Sequence, residues 1–176
     1  MTSTTTMRPR RATAAEPALL PGLCRLLIDS VHGGASVGFL APMAESTALG
    51  YWQGVYAALG EGLLLWVVLD GDAVVGSVQL APCGKENGRH RGEIQKLFVR
   101  SDYRGRGLSR QLMDAAESQA RAQGLTLLVL DTLAGSAAES IYPRLGWQRA
   151  GEIPHYAALP DGEIRPTVIL YKRLGA

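Results

Sequence analysis

The sequence predicts a mixed α/β fold: one twisted, mostly antiparallel sheet of about seven strands, with four helices distributed over both faces. Three observations predict it. Two apolar runs, residues 63–69 and 73–81, flank the turn Asp70-Gly71-Asp72, which is the pattern of a hairpin. Farther along, short apolar runs alternate with amphipathic helical stretches, as crossover connections do. Between the two halves, Leu97-Phe98-Val99 runs through Arg100-Ser101-Asp102-Tyr103 into Arg104-Gly105-Arg106-Gly107 and directly on into a helical pattern.

In chain order, residues 1–6 are polar and read as a disordered tail, and residues 7–176 form one domain. Residues 7–13 predict the first strand. A helix follows over 16–31, with Leu19, Leu23, Leu26, Leu27 and Val31 on one side. His32-Gly33-Gly34 ends it, and residues 32–42 read as a loop. A second helix spans 44–59 and stops at Gly60 and Gly62. After the hairpin and a polar loop over 84–92, a strand covers 93–100. The third helix spans 107–123, with Leu108, Leu112, Ala115, Ala116 and Ala120 as its apolar stripe. A buried strand over 125–131, a short helix over 136–145, and strands over 147–151 and 167–172 complete the chain.

Composition narrows the function classes. The 176 residues suffice for one core without staples. A formal charge of +2, with Lys and Arg spread along the chain, gives no footprint for nucleic acid. No apolar run is long enough to cross a bilayer and the start is not a signal peptide, so the expectation is a cytoplasmic protein with no membrane partner, monomeric or homodimeric. Cys24 and Cys83 fit no metal-ligand spacing and read as core or surface thiols; no metal is expected.

The glycine turn is the chemical signal. Gly105 and Gly107 let backbone approach an anion, while the first-turn amides of the following helix lack intrahelical acceptors and sit at the positive end of its dipole. This is a cradle for a phosphorylated cofactor. A Walker-type site needs Lys-Ser/Thr after the last glycine, and the three-glycine dinucleotide fingerprint is incomplete, so both are disfavoured.

Arg104-Gly105-Arg106-Gly107-Leu108-Ser109 resembles the cofactor signature of the GCN5-related N-acetyltransferase superfamily, with Ser109 where Gly or Ala is usual. The second signature of that family, a Tyr four residues before Gly-aromatic, is matched by Tyr142-Pro143-Arg144-Leu145-Gly146-Trp147. Within the family the chain is similar to the tabtoxin-resistance acetyltransferases, which inactivate a β-lactam amino-acid toxin. That likeness rests on Val31-His32-Gly33-Gly34-Ala35-Ser36-Val37-Gly38-Phe39, on Leu64-Leu65-Trp66-Val67-Val68, and on Leu130-Asp131-Thr132.

The resemblance implies an acetyl-CoA-dependent N-acetyltransferase acting on a small-molecule amine by direct attack in a ternary complex. It implies that Arg104, Gly105, Arg106, Gly107, Leu108, Ser109 and Arg110 hold the pyrophosphate, and that the edge of Leu97, Phe98 and Val99 pairs with the pantetheine arm. The Leu97 amide would face the thioester oxygen. Tyr142 would protonate the departing thiolate. Many members carry an Asn that contacts pantetheine where this chain has Gly135 followed by Ser136, which makes Ser136 the candidate there.

For the acceptor amine, the residues themselves offer Glu93 and Asp131 on neighbouring strands. Strict alternation places Glu93 on one face with Gln95, Leu97 and Val99 and turns Lys96 away. Asp131 ends an apolar strand, where ligand crevices form in α/β sheets. Either carboxylate, or His32, is a candidate base. His32, Gly33, Gly34, Ser36 and Phe39 read as an acceptor-side loop, and His155, Tyr156 and Asp161 as a second wall in a late loop. Trp52, Trp66 and Trp147 read as core. Acetylation of a protein amine and a non-catalytic acyl-CoA-binding module are the competing readings.

Overall fold

The structure is a computed structural model and describes residues 7–175; the expected tail, residues 1–6, lies outside the described residues. Seven strands form one sheet in the order β1-β2-β3-β4-β5-β7-β6. They are β1 (Arg10–Ala12), β2 (Leu64–Asp70), β3 (Ala73–Pro82), β4 (Arg91–Val99), β5 (Leu127–Leu133), β6 (Gln148–Ala158) and β7 (Ile164–Arg173). Every pairing is antiparallel except β4 with β5.

The α-helices among the described residues are α1 (Leu20–His32), α2 (Glu45–Ala58) and α3 (Leu108–Ala122). The helix expected over 136–145 is instead a run of turns ending in a 3-10 turn, Tyr142–Leu145. Pro143, lacking an amide hydrogen, accounts for the lack of a regular helix there. The expected first helix is also split, since Pro17–Leu19 forms a 3-10 turn ahead of α1.

The sheet separates two cores. On one face, Leu23, Leu26, Leu27 and Val31 of α1 and Ala48, Trp52 and Val55 of α2 pack on Leu65, Val67, Val74 and Phe98. The spacing of these helical residues is the 3.6-residue period that gave the helices away. Gly22 lets α1 approach β3 closely: a Cβ there would lie 2.6 Å from Val74 Cγ2. On the other face, Leu108, Leu112, Met113, Ala116 and Ala120 of α3 pack on Val75, Val78, Leu80, Ile94, Leu128 and Leu170. Trp52, Trp66 and Trp147 are core residues, as expected.

Buried Glu117 of α3 joins this second core to the sheet. It accepts hydrogen bonds from Trp147 Nε1 at 3.2 Å and Lys172 Nζ at 2.6 Å. No helix among the described residues is long and apolar enough to cross a membrane.

Candidate active site

Strands β4 and β5 pair only from Arg91 to Glu93, against Leu127 to Val129. Beyond Glu93, β4 keeps β3 on one side and has an open edge on the other. The Arg100 amide donates to Val75 on β3. Because amides alternate along a strand, those of Leu97 and Val99 point to the open edge. This fits a ligand that pairs as an added strand. The side chain of Phe98 faces the α1/α2 core and is only 3% exposed, so only its backbone is available to that edge.

The strand runs into the turn that caps α3. Gly105 and Gly107 both have φ of +75°, the left-handed region that a side chain disfavours. Gly107 is the N-cap of α3 and no side chain caps the helix, so its first-turn amides are free to receive an anion. The arginines are arranged unevenly. An ideal Cβ on Gly33 would lie 3.7 Å from Arg104 Nη2, which places that guanidinium against the end of α1. Arg106 lies over the Tyr103 ring at 4.4 Å and donates to the Asp102 carbonyl. Arg110 donates to the Arg144 carbonyl at 3.3 Å, tying the start of α3 to the Tyr142 turn. The Ser136 hydroxyl donates to the Leu133 carbonyl at 2.7 Å and accepts the Glu139 amide at 3.2 Å, so it is engaged in its own turn.

Tyr142 is 8% exposed, its ring edge-on to Trp147 at 6.1 Å between centroids. Among the described residues its hydroxyl makes no hydrogen bond. Burial, with the negative charge of Asp131 adding to it, pushes the phenol up to about 12. The group therefore holds its proton across the neutral range.

Two sequence expectations about β4 are corrected. Gln95 faces Gln79 and Phe98 faces Ser77, so Lys96 and Leu97 together oppose Val78 in a β-bulge. Lys96 has φ of +51°, a conformation costing a non-glycine residue roughly 1–2 kcal/mol. The extra residue reverses the alternation. Glu93 and Gln95 share the α1/α2 face with Phe98, whereas Leu97 and Val99 pack on the α3 side. Lys96 is not turned away: its Nζ donates to the Val37 carbonyl at 2.7 Å and lies 5.8 Å from the centre of the Tyr51 ring. Burial lowers its pKa, while Asp131 and then Glu93 act in the opposite sense.

Asp131 lies two residues past Val129, the partner of Glu93, and so shares the face of Glu93. Thr167 Oγ is 3.1 Å from Asp131 Oδ2. The structure thus gathers Glu93, Asp131 and Lys96 on one face, with Asp131 also bearing on Tyr142.

Residues missed at the level of sequence complete this face. Tyr51 of α2 accepts a hydrogen bond from Gln79 Nε2 at 3.0 Å, and Phe39 packs edge-on against it at 5.4 Å. A glutamine inside the apolar run of β3 was the available signal for that pair.

The acceptor-side loop is fastened at several points. His32 Nε2 accepts the Met43 amide at 3.1 Å, and the Ala41 amide donates to the Pro160 carbonyl at 2.8 Å, linking the loop to the β6–β7 turn. His32, Gly34, Pro42 and Asp161 line a cavity of ≈ 540 Å³ whose walls include none of Glu93, Asp131 or Tyr142. One ring nitrogen of His32 is thus occupied within the loop. The late loop is shorter than expected. His155 and Tyr156 belong to β6, and only residues 159–163 separate it from β7. Among the described residues no group of three His, Cys, Asp or Glu is placed to hold a metal ion.

Residues 38–147 match the family described as "Acetyltransferase (GNAT) family". The chain belongs to this family and is an N-acetyltransferase. It is 36% identical over 114 residues to an uncharacterized N-acetyltransferase from the hisH-hisA intergenic region of Azospirillum brasilense, a match covering 64% of this chain and 67% of that protein. It is 41% identical over 66 residues to an L-methionine sulfoximine/L-methionine sulfone acetyltransferase of Pseudomonas paraeruginosa, covering 36% of this chain but only 38% of the relative. Among solved structures, a phosphinothricin acetyltransferase from Sinorhizobium meliloti in complex with acetyl-CoA superposes with a TM-score of 0.77. That match covers 97% of this chain and 90% of the other at 19% identity, a likeness of fold alone.

Proposed function

We propose that the chain acetylates the amine of a small, amino acid-like molecule, of the kind represented by β-lactam toxins of the tabtoxinine type or related antibiotics, by direct attack in a ternary complex. The observation that carries this reading is the pair Glu93 and Asp131 on one face beside the open edge of β4, under a loop fastened at Val37 and Ala41. A loop bound at both points favours a compact acceptor over an extended peptide. The sulfoximine acetyltransferase relative adds support for the acceptor class.

Acetyl-CoA supplies the acyl group as a thioester. The first-turn amides of α3, with Gly105 and Gly107, would hold its phosphates, and the Leu97 and Val99 amides its extended arm. Glu93 and Asp131 attract the ammonium of the acceptor, and one of them takes its proton, directly or through water. The Leu97 amide is the donor available to an oxygen that gains negative charge, an interaction typically worth about 3 kcal/mol. Tyr142 keeps its proton at Oη and is the acid for the sulfur that leaves.

The test is release of free thiol from acetyl-CoA by the purified protein with L-methionine sulfone and a panel of other free amines, against peptides with free amino termini. Turnover of free amines that falls in Glu93→Gln and Asp131→Asn supports the reading. Turnover of peptides alone contradicts it, and so does tight acetyl-CoA binding with no turnover, the behaviour of a binding module.

A further inference from the structure

Glu93 and Asp131 account for the amine end of an acceptor, and beyond its one bond to the Val37 carbonyl Lys96 has no assigned role. The bulge in β4 brings this cation onto the same face as the two carboxylates, where a regular strand would have turned it away. Its ammonium has three N–H donors, and one is used, on the Val37 carbonyl. No carboxylate lies within 4.0 Å of it among the described residues, and neither Glu93 nor Asp131 has a cationic partner at that distance. A largely buried charge that is left unpaired is costly unless something else pairs with it.

The face therefore presents two anions and one cation, separated from one another and each with unused hydrogen-bonding capacity. That is the complement of a zwitterion. Resting on the reading of the chain as an acetyltransferase of small amines, we infer that Lys96 binds the carboxylate of the acceptor and so restricts it to free amino acids and analogues that keep an acidic group near the amine. Tyr51 shapes this position, since its ring lies beneath Lys96 Nζ and is fixed by Gln79 and Phe39. A peptide amino terminus, whose adjacent carbonyl is an amide, gives Lys96 no anion. A simple amine leaves it unpaired.

The alternative use of Lys96 is as a strut that holds the 33–44 loop through Val37. Substrate pairs separate the two. Initial rates are measured for L-methionine sulfone and for its carboxamide, with the wild-type protein, Lys96→Met and Lys96→Arg, and acetyl-CoA binding and melting temperature confirm that each variant folds. Carboxylate recognition predicts that the wild type prefers the acid by roughly 10–100-fold in kcat/KM, chiefly through KM, as for a hydrogen bond to a charged group. Lys96→Met then removes the preference by raising KM for the acid at least tenfold more than for the carboxamide, and Lys96→Arg keeps part of it.

Equal wild-type rates on acid and carboxamide overturn the role of Lys96 and leave the small-amine reading standing. A loss of the same size on both substrates in Lys96→Met identifies a strut and also overturns it. Turnover of neither, with peptides acetylated instead, overturns the small-amine reading and this inference together.

Discussion

Replacing Tyr142 with Phe removes one oxygen and keeps the ring. The hydroxyl has no hydrogen-bond partner among the described residues and the ring contact with Trp147 is retained, so stability near neutral pH should change by less than about 1 kcal/mol. Alkaline pH reveals the missing group. An unfolded tyrosine ionises near 10 and folded Tyr142 near 12, so between those values the folded state binds more protons and wild-type stability falls with rising pH. The two-unit difference corresponds to about 3 kcal/mol in full, of which about 1.4 kcal/mol is lost by pH 11, and Tyr142→Phe lacks this contribution. Urea melts of both proteins at pH 8 and pH 11 measure the difference. Activity gives the second readout: loss of a general acid predicts a fall of roughly 10²–10⁴ in kcat, followed as thiol release at saturating acetyl-CoA. A variant that folds normally and keeps kcat within twofold would refute the assignment of Tyr142 as the acid.

Further outcomes follow from the same contacts. Lys96→Met should raise the melting temperature at pH 7, because a largely buried ammonium is removed. The folded pKa of Lys96 lies below its unfolded value of 10.5, so the unfolded chain binds the extra proton and wild-type stability gains on Lys96→Met as pH rises through that window; thermal melts from pH 7 to pH 10.5 check the sign. Glu117→Ala leaves the Trp147 indole and Lys172 without their shared acceptor and should cost about 3–5 kcal/mol in urea unfolding. For Gly107→Ala, nothing lies within 4 Å of the added Cβ, so the stability cost is the backbone's alone, about 1–2 kcal/mol. If the strained turn relaxes away from this conformation the first-turn amides of α3 move off the anion, and a loss of about 1.4 kcal/mol of binding weakens acetyl-CoA affinity by calorimetry roughly tenfold.

Sequence pattern revealed the strand count, the hairpin, the three long helices and the glycine turn that opens α3, because these depend on local periodicity and on glycine at left-handed positions. It extended too far at Ser136–Leu145, where apolar spacing resembled a helix but Pro143 and the Ser136 turn do not propagate one. It erred most at Lys96. A bulge inserts one residue without altering composition, so strict alternation placed Lys96, Leu97 and Val99 on the wrong faces while placing Glu93 beside Gln95 correctly. Tyr51 and Gln79 escaped notice because their meeting depends on how α2 packs on β3, a long-range contact that no local pattern encodes. His32 stands out in the sequence at the end of a helix, and in the structure its Nε2 accepts the Met43 amide, a long-range contact that no local pattern encodes.

Under the proposed function, Glu93 and Asp131 prepare a small zwitterionic amine for acetylation beside Tyr142. The most direct measurement is mass spectrometry of L-methionine sulfone incubated with the protein and acetyl-CoA labelled in the acetyl group, with released thiol followed in parallel. The expected result is one labelled acetyl group on the amine for each thiol released, and loss of both signals together in the Glu93→Gln/Asp131→Asn double variant. Product formation undiminished in that variant would contradict it.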